Sequence, residues 1–125
     1  MMFKVMWLMK RKEGTSMQDF IEYYESHHAV LGAKLFQDNN LKPLKYVRKY
    51  LHPMSDPIAE EDNAREPEYD VAMEMWFESR GDFDRLVEFS MQDAVSEMII
   101  ADEQRFLNRE QKAVFILEEH ETKFE

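Results

Sequence analysis

Between Phe3 and Lys10 the chain is apolar on both sides of a two-residue period: Phe3, Val5, Trp7 and Met9 alternate with Met2, Met6 and Leu8. A strand with two apolar faces leaves neither in water, so it belongs at the centre of a sheet covered from both sides. The turn signal Glu13–Gly14–Thr15 closes it. Ser16 offers an N-cap, with Asp19 in the first turn. From there Met17, Phe20, Ile21, Tyr24, His28, Leu31 and Leu35 recur in steps of three and four, one helical stripe. Gly32 falls inside this stretch and either ends the helix or only weakens it.

A second strand is expected from about Leu44 to Leu51, its basic residues suiting a sheet edge. His52 to Glu68 carries three of the four prolines and a cluster of acids without periodicity, which predicts one long loop or a flap over a pocket. A third strand, Tyr69 to Phe77, sets Val71, Met73, Met75 and Phe77 on one face and Asp70, Ala72, Glu74 and Trp76 on the other. Two short helical stretches follow, from Gly81 and from about Gln92, and Lys112 to Glu118 reads as the last strand. The order β-α-β-β-α-β is the ferredoxin-like α+β pattern, and right-handed crossovers put the first and third strands in the middle. The sheet face away from the helices would then expose a large apolar patch, which a second copy packed sheet on sheet would cover.

With 125 residues the chain is long enough for one domain, expected to span 1–125. Twenty-six acids against 16 Lys and Arg give a net charge of −10, which disfavours nucleic acid and anionic membranes as partners. No apolar run approaches the roughly 20 residues that span a bilayer. The absence of cysteine excludes disulfide scaffolds, zinc–thiolate sites and thiol nucleophiles, and it fits the cytoplasm. With three glycines, none in a phosphate-cradling pattern, and no spaced histidines, neither a nucleotide loop nor a metal site is expected.

His28 sits in the core-facing stripe, where an imidazole is either a satisfied structural group or a functional one. Asp102 interrupts the stripe of the last helix between Met98 and Phe106 in the same way. A buried carboxylate needs a partner, and His28 is the natural candidate; such a pair serves as an acid–base device or as a structural tie. Tyr24 shares the face of His28, as a core residue or a phenolic acid. Trp7, Tyr46 and Trp76 are candidates to line a flat pocket, and Glu74 joins the site if it faces the helices.

The stretch Phe20-x-x-Tyr23-Tyr24-x-x-x-His28-Ala29-x-Leu31 resembles the helix motif of the EthD domain family. Lys4-Val5 through Gly14 is similar to the family's first strand and turn, Tyr69-Asp70-Val71 with Trp76-Phe77 to its third strand, and Asp102-Glu103-x-x-Phe106-Leu107 to its late helix. Val30 stands where proline is usual and Tyr24 where tryptophan is common. The resemblance implies a dimeric α+β barrel. It implies a small cofactor-free enzyme, a lyase or isomerase that decarboxylates, dehydrates or cyclises an aromatic or polyketide-like molecule. His28 would be the proton-transfer group, with Asp102 and Tyr24 beside it. The alternatives are an accessory protein that protects or delivers an intermediate of an oxidative pathway, and an oxidoreductase, cofactor-free or with haem held by His28 or His27.

Overall fold

The computed structural model describes residues 2–125. Its strands are β1 (Phe3–Arg11), β2 (Lys45–Tyr50), β3 (Val71–Phe77) and β4 (Leu107–Ile116). They form one antiparallel sheet in the order β2-β3-β1-β4, with the two most apolar strands central, as the alternation of their residues requires. The helices α1 (Met17–Tyr23), α2 (Ala29–Asp38), α3 (Arg80–Ser90) and α4 (Asp93–Glu103) lie on one face. Val5, Met9, Val71, Met73, Met75 and Phe77 from that face meet Phe20, Tyr24, Ala29, Phe36, Leu86 and Phe106 in the core.

The helix after β1 starts as its residues dictate: the Ser16 side chain accepts the Asp19 N–H, satisfying one of the free donors of the first turn. It does not break at Gly32, which lies within α2. Between α1 and α2, however, Tyr24–His28 forms a π turn, in which the Ala29 N–H reaches back five residues to the Tyr24 carbonyl. One extra residue per turn rotates everything before it relative to everything after it.

The last strand begins five residues before the expected Lys112. Met9 pairs with Lys112 and Lys10 with Asn108, so Arg109, Glu110 and Gln111 bulge out of the ladder. The polar run Asn108–Gln111 carries no alternation because three of its four residues form this bulge on an edge strand, outside the ladder. The third strand starts at Val71, two residues later than expected, although the Asp70 backbone still bonds to both neighbours, its N–H donating to the Met9 carbonyl and its carbonyl accepting from the Leu51 N–H. The buried Asp70 carboxylate accepts the Arg11 N–H at 2.9 Å and faces the Lys10 ammonium at 3.5 Å.

The segment 52–68 contains no helix or strand. Asn63 ties it internally, accepting from the Asp56 N–H (2.7 Å) and donating its own N–H to Ser55 (3.0 Å).

Candidate active site

Asp102, near the end of α4, faces the π turn. Its Oδ2 lies 2.8 Å from His28 Nδ1, and its Oδ1 accepts the Tyr23 hydroxyl at 2.5 Å. A carboxylate offers only acceptors, so Nδ1 carries the proton and donates it, and Nε2 is left as the reactive nitrogen. Burial, and then the bond to Asp102, raise the Tyr23 pKa, which keeps the phenol protonated and donating. Both side chains of the His–Asp pair are mostly shielded from water, each 14 % exposed. The ring of Phe106 packs beneath them, 4.9 Å from His28 and 5.2 Å from Tyr23 between centroids.

The π turn explains why two residues five apart meet one carboxylate. In an ordinary helix Tyr23 and His28 would point about 140° apart; the wider turn brings them to the same side. The turn is gripped from the sheet. Arg48 on β2 donates Nε and Nη2 to the two Glu25 carboxylate oxygens at 3.0 and 2.6 Å, and the Tyr50 hydroxyl adds a third bond at 2.5 Å. The Arg48 bond lowers the Glu25 pKa, while burial and the Glu25 carboxylate push the Tyr50 phenol up.

His28 also lines a cavity of about 210 Å³ between the sheet and the helices. Trp7, Tyr24 and Tyr46 join it on the aromatic side, and Leu31, Met73 and Ile99 supply apolar wall. Gly32 leaves space beside Tyr46, whose hydroxyl would lie 3.9 Å from a Cβ there. Tyr24 is fully buried, and its hydroxyl has no hydrogen-bond partner among the described residues. Burial raises the Tyr24 pKa well above the usual phenol, with a further rise from Tyr46, which stands near without completing a well-formed bond.

Glu74 and Trp76 are elsewhere. Their register on β3 turns them to the face opposite the helices, where the Trp76 Nε1–H donates to Glu74 at 3.2 Å and Lys49 pairs with Glu74. The ammonium groups of Lys4 and Lys45 lie 3.7 and 4.3 Å from the Trp76 ring centre. Neither residue lines the cavity, and no residue of 52–68 does either. The alternation of β3 separates its two faces correctly, and the apolar face of Val71, Met73 and Met75 takes the helices because hydrophobic burial outweighs one indole.

Three site residues escaped the sequence reading. Tyr23 was masked by the π turn, since α-helical spacing assigns the shared face to Tyr24. Glu103 and Lys112 line the cavity's far wall, brought there by the end of α4 and the bulge in β4. Among the described residues there is no cluster of three or more acidic or histidine side chains arranged to hold a metal ion.

A four-stranded antiparallel sheet with helices on one face, and between them a small, mostly apolar cavity lined in part by the His28 of a histidine–carboxylate pair, defines a ferredoxin-like α+β protein. The EthD domain model matches residues 12–110, and the chain belongs to the EthD family. An EthD-family protein from Bacillus halodurans is 18% identical, with a TM-score of 0.57 over 96% of this chain and 100% of that one. A dimeric protein of unknown function with a ferredoxin-like fold, from Bacteroides fragilis, is 11% identical, with a TM-score of 0.55 over 94% and 95%. A dimeric ferredoxin-like protein from Thermobifida fusca is 10% identical, with a TM-score of 0.51 over 94% and 90%. No curated protein matches the sequence.

Proposed function

We propose that this protein is a small cytoplasmic enzyme of the lyase or isomerase type, which holds one substituted aromatic ring in the cavity and exchanges a proton with it through His28. The observation that carries the reading is the coincidence of roles at His28: one ring nitrogen is committed to Asp102, and the same side chain lines the chamber. The carboxylate orients the imidazole and offsets the charge it gains on protonation. An apolar cavity of about 150 Å³ accommodates benzene, so about 210 Å³ suits a single ring with substituents better than a fused polycycle.

Resorcinol, whose ring hydrogens exchange with solvent under acid–base catalysis, is a suitable probe. Wild-type protein in heavy water is expected to accelerate ring deuteration, and His28→Gln to abolish the acceleration while still binding resorcinol. Binding without exchange in the wild type would replace the enzyme with a carrier, the accessory role. Absence of any binding would remove the cavity as a functional site.

The face of the sheet away from the helices supports a homodimer. Met6, Leu8, Ala72, Trp76 and Phe115 share it, and Phe115 is half exposed. The relatives from Bacteroides fragilis and Thermobifida fusca are described as dimeric. No helix among the described residues is long and apolar enough to cross a membrane.

A further inference from the structure

The cavity has two polar ends that the proton-transfer pair does not use. At one end is Tyr24, which lines the chamber and whose buried hydroxyl has no hydrogen-bond partner among the described residues. A buried donor without an acceptor is costly, and a ligand oxygen placed there removes that cost. At the other end Glu103 and Lys112 line the wall together. Glu103 is already engaged, since Arg109 donates Nε to it at 3.0 Å. The Lys112 ammonium stands 3.6 Å from the same carboxylate, an ion pair too long for a hydrogen bond. Two cations therefore face one carboxylate, and the charge left over belongs to Lys112, whose side chain is 26 % exposed. In a chain of net charge −10, this excess of positive charge is local, carried by a side chain that lines a mostly apolar chamber.

The two ends lie apart. The Tyr24 hydroxyl neighbours Tyr46 on β2, and Lys112 is on β4, the opposite edge of the sheet. Between them the lining is apolar, including Met9, Met73 and Met75. A ligand that satisfies both ends carries an anion on one side of a ring and an oxygen on the other.

We infer that the ligand of this cavity is a one-ring aromatic acid, its carboxylate held by Lys112 and an oxygen across the ring accepting the Tyr24 hydroxyl. This rests on the proposed aromatic ligand, and the proton exchange at His28 is a separate matter. It makes Lys112 and Tyr24 the residues that select the ligand.

Three probes separate the two contacts: para-hydroxybenzoate, its neutral analogue para-hydroxybenzamide, and benzoate, which lacks the hydroxyl. Titrated by calorimetry into the wild type, para-hydroxybenzoate is expected to bind about tenfold or more tightly than the amide, the ratio a charge-assisted bond supplies. Lys112→Met should bring that ratio close to one and leave the preference over benzoate intact; Lys112→Gln, which keeps a polar side chain, should do the same if the methionine variant folds poorly. Tyr24→Phe should erase the preference over benzoate without lowering the melting temperature, because the hydroxyl it removes makes no bond in the protein. If the acid and the amide bind equally to the wild type, or if Lys112→Gln keeps the acid's advantage, the acid-binding inference fails while an aromatic ligand still stands. If none of the three binds, both fail.

Discussion

Asp102 is the acceptor on which two donors converge, so removing its charge should be felt at both. In Asp102→Asn the amide cannot accept from Tyr23 and His28 as the carboxylate does, and the imidazole loses the partner that sets its tautomer. We expect a stability loss of about 1–3 kcal/mol, read from urea unfolding, with a redistribution of the two ring-nitrogen chemical shifts of His28. Unchanged nitrogen shifts would mean that Asp102 does not orient the ring. Gly32 makes the opposite kind of prediction. A methyl group there would meet Phe36 and Tyr46 at 3.8–3.9 Å, ordinary contact. Gly32→Ala should therefore stabilise the helix by roughly 0.5–1 kcal/mol while weakening aromatic binding, because the methyl group enters the cavity. A rise in melting temperature with unchanged affinity would place the ligand away from α2. His28 and Asp102 were legible in the sequence because each interrupts an apolar stripe. Tyr23 was not, because its facing depends on a helix width that side-chain spacing does not report.

At the scale of the element, the π turn depends on a grip from β2. Arg48→Leu removes the two-pronged bond to Glu25 and leaves only Tyr50 to hold it. The Glu25 carboxylate is substantially exposed, so the global cost should stay at or below about 1 kcal/mol. The local cost should be larger: relaxation of the turn towards α-helix would pass the Ala29 N–H from the Tyr24 to the Glu25 carbonyl and carry Tyr23 away from Asp102, detectable as changed ring chemical shifts of Tyr23 and His28. The same contact predicts a pH dependence. Arg48, ahead of Tyr50, holds the Glu25 pKa below its ordinary 4.5, and Lys49 does the same for Glu74. Carboxylates with lowered folded-state pKa values stabilise the protein above the unfolded value and lose that contribution as the pH falls through the folded one. Stability should thus hold down to about pH 4.5 and decline below it, with a shallower decline in Glu25→Gln. Equal slopes in the two proteins would show that Glu25 contributes nothing. The elements themselves were readable wherever an apolar period ran through them, as in β1, β3 and the Met17–Leu35 stripe. The start of β4 was not, since Arg109 to Gln111 bulges out of the ladder and breaks the period of two.

For the whole molecule, the buried phenols set an upper bound on pH. Tyr24, Tyr46 and Tyr50 all have pKa values raised from 10.0, chiefly by burial. Groups raised in this way stabilise the fold below the unfolded value; the unfolded chain ionises first as the pH climbs, and stability is lost above about pH 10. The melting temperature should fall there together with the appearance of phenolate absorbance. A fall well before that absorbance would point to another group. The open sheet face predicts association: a stable pair would bury roughly 1,200 Å² or more in total, and light scattering at micromolar concentration should give twice the 15.1 kDa chain mass. A monomer under those conditions would leave Phe115 and Trp76 without a partner surface. The sequence alone determined the strand order, since β-α-β-β-α-β with right-handed crossovers has one ordinary solution, and it marked the two polar residues that break the buried stripes. Tertiary structure alone decided that Trp76 and Glu74 face away from the helices, that Tyr23 rather than Tyr24 bonds to Asp102, and that Glu103 and Lys112 close the cavity. Periodicity states which residues share one side of an element; which neighbour that side meets depends on packing between segments far apart in the chain, where the burial of the whole apolar face outweighs any single residue.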